Sequence, residues 1–216
     1  TSDSSNTAVG SSALTTITSA AGNVAIGAGA GVAITTSTEN VVVGKDAFAA
    51  ADAGQNYNIV IGSGAGQSMN AAACDSNVII GHSASTGGVA AIQSCVVIGS
   101  EAMNSTGNEP QTGTVAIGAS ALAALTDGQY NNAIGFEAMS EATTSDGNTV
   151  MGYQAMKQCS TLANNYNTLF GYQSGGGDWT TGASTYNVGI GSRTLYGAMN
   201  DADYNVAIGS EAGIAV

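Results

Sequence analysis

The 216-residue chain carries 15 acidic side chains against three basic ones, and its formal net charge of −12 argues against nucleic acid or an anionic membrane surface as a partner. Its 31 Gly follow no Gly-X-Y period, which excludes collagen, and the regularly placed Val and Ile argue against a disordered low-complexity chain. No apolar run approaches the roughly 20 residues of a membrane helix, so membrane insertion is not expected.

From the first residues onward one phrase recurs: "NTAVG" at 6–10, "NVAIG" at 23–27, "NVVVG" at 40–44, "NIVIG" at 58–62 and "NVIIG" at 77–81, continuing to "NVAIG" at 205–209. Aligned on its glycine, the phrase occurs twelve times at spacings of 17–20 residues, from Gly10 to Gly209. Asn stands four before the glycine in ten units, with Cys95 and Thr114 as exceptions, and Ala stands three after it in ten, with Ser174 and Thr194 as exceptions. A period of about 20 residues predicts a solenoid, so residues 1–216 read as a single all-β repeat domain, a parallel β-solenoid of 12 coils.

Within each unit the β-branched residues between Asn and Gly predict a short strand, and the glycine permits a bend or a close approach of backbones. Asn at the strand start predicts a ladder of amides from coil to coil. The variable segments, rich in Ser, Thr, Ala and Gly, are expected to form an outer strand and loops. Alternate residues of a strand face opposite ways. The residues just before each glycine (Ile26, Val43, Ile61, Ile80, Ile98, Ile117, Ile134, Ile190 and Ile208) are assigned to the coil interior. Those two before it include Val42, Val60, Ile79, Val97, Ala116, Val150, Leu169 and Ala207, none polar, and are assigned to a lateral interface with further copies of the chain.

Single features along the chain offer no chemistry. The three cysteines, Cys74, Cys95 and Cys159, form no C-x-x-C and read as buried small hydrophobes, with one bridge as the alternative. His82, the only His, follows a repeat glycine at a variable position; the hexapeptide β-helix acyltransferases would need a catalytic His and three hexads per coil where there is one. Asn104-Ser105-Thr106 is the one N-glycosylation sequon and marks Asn104 as a candidate acceptor. Tyr57, Tyr130, Tyr166, Tyr186 and Tyr204 each precede a repeat Asn and predict a partial aromatic column, a surface that packs over the strand start or binds sugar rings. "SGGGDWT" at 174–180 lacks the Lys of a phosphate loop and reads as a flexible loop, and Asp201 and Asp203 read as an acidic turn without the Gly and Glu of a calcium loop. No catalytic, metal or cofactor residue is identified, and an enzyme is not expected.

"NNAIGFEAM" at 131–139, "NTVMGYQAM" at 148–156 and "NTLFGYQSG" at 167–175 resemble the Asn-Thr-Ala-Ile-Gly-Tyr-Gln-Ala repeats of bacteriophage tail-fibre proteins and related bacterial surface proteins. More distantly the pattern is similar to the YadA-like heads of trimeric autotransporter adhesins, although that repeat is shorter and its Asn stands one place further from the Gly. The resemblance implies a left-handed parallel β-roll, three chains around a common axis, serving outside the cell as a rigid shaft or an adhesive head.

The ends of the sequence are ordinary repeats. Terminal units of a solenoid are usually atypical caps; here Thr1 to Gly10 and Gly209 to Val216 together make one 17-residue period, so head-to-tail stacking through Asn6, Val9, Gly10, Gly209, Ile214 and Val216 is expected, or a longer fibre of which this is a part.

Overall fold

The computed structural model describes residues 5–87, 91–107, 109–159, 162–197 and 199–214. They form an all-β parallel solenoid of about 11 turns, without a helix. The strands are β1 (Thr7–Val9), β2 (Val24–Ile26), β3 (Val41–Val43), β4 (Ile59–Ile61), β5 (Val78–Ile80), β6 (Ile92–Gln93), β7 (Val96–Ile98), β8 (Gln111–Thr112), β9 (Val115–Ile117), β10 (Asn132–Ile134), β11 (Thr149–Met151), β12 (Thr168–Phe170), β13 (Val188–Ile190) and β14 (Val206–Ile208). All but β6 and β8 join one 12-stranded parallel sheet in chain order. Register is strict: Val42 pairs with Ala25 on one side and Val60 on the other, and Ile79 with Val60 and Val97.

Each strand of the 12-stranded sheet is three residues long because the glycine turns the chain at once. Gly118 has φ +132, and a Cβ built there would lie 2.3 Å from the carbonyl oxygen of Gly135 in the next coil, so neither the conformation nor the space admits a side chain. The chain then turns within four residues. Ala121 N–H donates back to Gly118 O at 3.2 Å, and Ser120 and Leu122 take φ of +55 and +52. Left-handed backbone costs L-residues roughly 1–2 kcal/mol each. Inter-coil bonds offset it: Ser120 N–H donates to Ser100 O at 2.9 Å and Leu122 N–H to Ala138 O at 3.0 Å.

These turns decide which face of the sheet is inside. They carry the Ala column (Ala121 and its equivalents) and the residue directly after it (Phe48, Met103, Leu122, Met139, Met156, Leu195) back beneath the residue two before the glycine, and all are buried except Ala13 and Ala212 of the end coils, which are partly buried. The assignment of faces from the sequence is therefore corrected. Val42, Val60, Ile79, Val97, Ala116, Val150, Leu169 and Ala207 fill the chain's own lumen and are not available to a neighbour. Ile26, Val43, Ile61, Ile80, Ile98, Ile117, Ile134, Ile190 and Ile208 point outward, partly or largely exposed.

Side chains of different coils fill the lumen in different combinations. Where the strand supplies Ala133, the turn supplies Met139; where it supplies Val60, the turn has Gly66, and Met69 comes within reach, 3.0 Å from the Cβ that Gly66 lacks. Leu169 is followed by Gly175, and there Trp179 enters, fully buried. The 174–180 segment is thus part of the core and not the flexible loop expected. Nor do the variable segments make a continuous outer strand: apart from the two-residue pair β6 and β8, their described residues are turns, bends and irregular backbone.

Candidate functional surfaces

An amide ladder runs up one corner of the lumen. Asn40 donates its backbone N–H and its Nδ2 to Asn23 Oδ1, both at 3.0 Å, while its own Oδ1 accepts the same pair from Asn58 at 2.9 and 3.0 Å. Asn6 to Asn77 form one such run and Asn131 to Asn205 another. Between them Cys95 donates its N–H to Asn77 Oδ1 but has no amide to pass on, and the buried hydroxyl of Thr114 finds no partner. Where the column of Ala is broken, Ser174 and Thr194 share a buried 2.6 Å hydrogen bond, so the two exceptions satisfy each other.

Opposite the lumen lies a largely aliphatic face. Its two columns are the residues three before and one before each glycine, from Thr7 and Val9 to Val206 and Ile208, and none of the 24 is charged. Exposure here reaches 40% at Ile59, 42% at Ile26 and 68% at Ile208. At the ~4.8 Å strand spacing, twelve coils extend it over roughly 53 Å. At about 500 Å² the strip is at the upper end of what monomeric proteins leave in water, and Thr7, Asn132, Thr149 and Thr168 interrupt its apolar run.

Aromatic columns border the face on both margins. At the strand start Tyr166, Tyr186 and Tyr204 stack with centroids 5.1 Å apart, while Tyr57 and Tyr130 stand singly in the same column. Just past the glycine, Phe136, Tyr153 and Tyr172 stack at 5.4 and 5.3 Å. This second column was missed in the sequence, although "GF" at 135–136 and "GY" at 152–153 and 171–172 signal it. Beside it Glu137 Oε2 accepts from Lys157 Nζ at 2.6 Å and Gln154 Nε2 at 2.7 Å, and these bonds hold the Glu137 carboxyl below the usual range.

The other singled-out residues have structural roles or none. His82 is exposed beside Gly81, and Asp203 Oδ1 accepts from the N–H and hydroxyl of Thr185. Asn104 lies half-buried in a turn, its Oδ1 accepting from Ser105 at 3.3 Å. No disulfide links the described cysteines; all three are buried, and burial pushes the Cys159 thiol up to about 12. Among the described residues no group of three His, Cys, Asp or Glu is placed to hold a metal ion.

Asn6, Val9 and Gly10 lie on the outer edge of the first coil, and Gly209 and Ile214 in the last; Val216 lies outside the described residues. The two edges are complementary. Between neighbours, Gly27 N–H donates to Val9 O and Val188 N–H to Asn205 O, both at 2.8 Å. By the same pattern the last coil presents Ile208 O, Asn205 Oδ1 and Val206 N–H toward a following coil, matching Gly10 N–H, Asn6 N–H and Asn6 O of the first.

No family model, curated protein or solved structure matches the chain.

Proposed function

We propose that this chain is a structural subunit of an extracellular fibre, built from β-solenoids associated side by side through the outer aliphatic face. The observation that carries the reading is that face: two uncharged columns along all twelve coils, bordered by aromatic rings, with acidic residues such as Asp46, Asp146 and Asp203 placed beyond it. The strip alone, ~10 Å wide, presents only about 500 Å² per chain, and including the aromatic margins doubles this; a stable interface needs about 800 Å² per partner. Association therefore engages the margins as well. The tail-fibre resemblance points to three chains abreast. Complementary edges at the first and last coils support extension along the axis, by another copy or by more of the same polypeptide. The turn residues, with Asn104 among them, are the places for attached glycans.

The test is mass in solution with Val78→Asp and Ile80→Asp combined. The parent is expected at a multiple of 21.1 kDa and the variant, still folded by circular dichroism, at the mass of one chain. A one-chain mass for the parent at micromolar concentration, or an unchanged multiple for the variant, refutes lateral association.

A second reading, a tail-fibre shaft or adhesin head that recognises a surface carbohydrate, is favoured by the exposed aromatic columns. The two readings are compatible, since a fibre carries its recognition surfaces on its flanks.

A further inference from the structure

The tyrosine column at the strand start has a gap of one coil. Tyr130 and Tyr166 belong to units whose intervening repeat places Gly147 at the same position, so the two tyrosines stand two coils apart, roughly 9.6 Å at the ~4.8 Å strand spacing. Elsewhere in the column, rings on adjacent coils lie 5.1 Å apart. The gap is a real recess of about 230 Å³, lined by Gln129, Tyr130, Asp146, Gly147 and Tyr166. Gly147 contributes no side chain to it, and the Tyr166 ring leans over that glycine, 2.7 Å from where a Cβ would stand.

The recess has apolar walls and a polar edge. Tyr130 and Tyr166 are 61% and 51% exposed, so their rings are open to a ligand. Asp146 Oδ1 is used by Gln129 N–H at 2.7 Å; its other carboxylate oxygen and the Gln129 side chain make no hydrogen bond within the described chain. An acceptor and an amide with both donor and acceptor capacity therefore stand at the rim.

We infer that this recess binds one pyranose ring of a carbohydrate, held between Tyr130 and Tyr166 with its hydroxyls bonded to Asp146 and Gln129. A pyranose presents C–H groups on its two faces and hydroxyls around its edge, which is the distribution the recess complements. A flat aromatic ring would use the walls but leave the rim unpaired. The volume lies just below the usual range for ligand pockets and fits a single sugar unit, with the affinity of a shallow site, near millimolar. The inference rests on the carbohydrate-recognition reading above and is separable from it.

The structure supplies its own control substitution. Gly147 has φ +66, and the tyrosines at the equivalent position of other coils have φ of +58 to +60, so Gly147→Tyr suits the backbone and fills the recess with the ring the column lacks. Only the Tyr166 ring, 2.7 Å from the added Cβ, has to move. The probes are the methyl glycosides of glucose, galactose, mannose and N-acetylglucosamine, with p-cresol as the flat aromatic comparison, read by saturation-transfer difference NMR on the whole chain. At least one glycoside is expected to bind, and Tyr130→Ala and Gly147→Tyr each to weaken it about tenfold. Tyr57→Ala, on a tyrosine outside the recess, should leave binding unchanged. Binding that survives both variants overturns this site while leaving carbohydrate recognition standing; no binding by any glycoside, or binding by p-cresol alone, overturns the assignment of the ligand. If Gly147→Tyr fails to fold by circular dichroism, Tyr130→Ala, a surface change, decides the matter.

Discussion

Ile79 and Ile80 are adjacent, nearly equal in size, and opposite in fate. Ile79 is fully buried between Val60 and Val97 in the lumen, while Ile80 faces outward. Ile79→Ala removes three carbons, worth about 2.4 kcal/mol at ~0.8 per methylene. The walls cannot close over the loss, because in-register strands above and below fix the coil. A void of ~80 Å³ adds up to about 2 kcal/mol at ~24 cal/mol per Å³. The expected cost is therefore about 2–4 kcal/mol, the same at any protein concentration. Ile80→Ala should cost under about 1 kcal/mol in the isolated chain, and more only as concentration favours lateral association. Guanidinium denaturation followed by circular dichroism, run at two concentrations about tenfold apart, separates the two terms. An unchanged midpoint for Ile79→Ala together with a concentration-independent loss for Ile80→Ala would refute this assignment of inside and outside.

Gly118→Ala should prevent the central coils from closing, since its Cβ meets the Gly135 carbonyl at 2.3 Å; loss of the native circular dichroism spectrum is expected, and a native-like midpoint would count against the glycine spine. Cys95→Asn combined with Thr114→Asn should join the two amide runs and raise stability by about 1–2 kcal/mol, measured by urea denaturation. Cys159 is buried with its pKa raised to about 12, so in the folded chain its thiol stays protonated where the unfolded one ionises. Its contribution to stability is complete below the unfolded value near 8.5 and is lost as pH rises from there toward 12. Iodoacetamide at pH 8 should spare Cys159 until denaturant is added, and Cys159→Ala should lessen the fall in midpoint above pH 9.

The phase of the repeat, the position of every main strand and the Asn ladder were legible in the sequence because each depends on one residue type at one offset. The two faces were not. Period-two alternation separates the residue before the glycine from the one two before it, but both columns are apolar, so the alternation does not decide which of them faces inward. The deciding information lay past the glycine, in the buried Ala and the large residue that follows, such as Ala138 and Met139. Their conformation was hidden as well: Met139 has φ +51, which the composition of "FEAM" does not announce. Trp179 was misplaced for a similar reason. A Gly-rich segment suggests a loop, whereas here Gly175 vacates the lumen that the indole occupies. Tyr130 and Tyr166 were legible as members of a column; the recess between them depends on Gly147, whose meaning emerges only when the coils are stacked.

The break in the amide ladder bears on how a rod of this kind carries load. Pulled along its axis, the molecule resists through inter-coil bonds acting in parallel at each level, and the weakest level sets its strength. At most levels the paired asparagines add two bonds per step; at Cys95 and Thr114 that strand of the cable is cut. Between β7 and β9 the β6–β8 pair makes up for the lost amides, so the rod should yield first one level on, between β9 and β10, and part into two blocks that remain wound. In a fibre many such units long, failure would be distributed among regularly spaced weak levels, so the fibre would lengthen in steps before it broke.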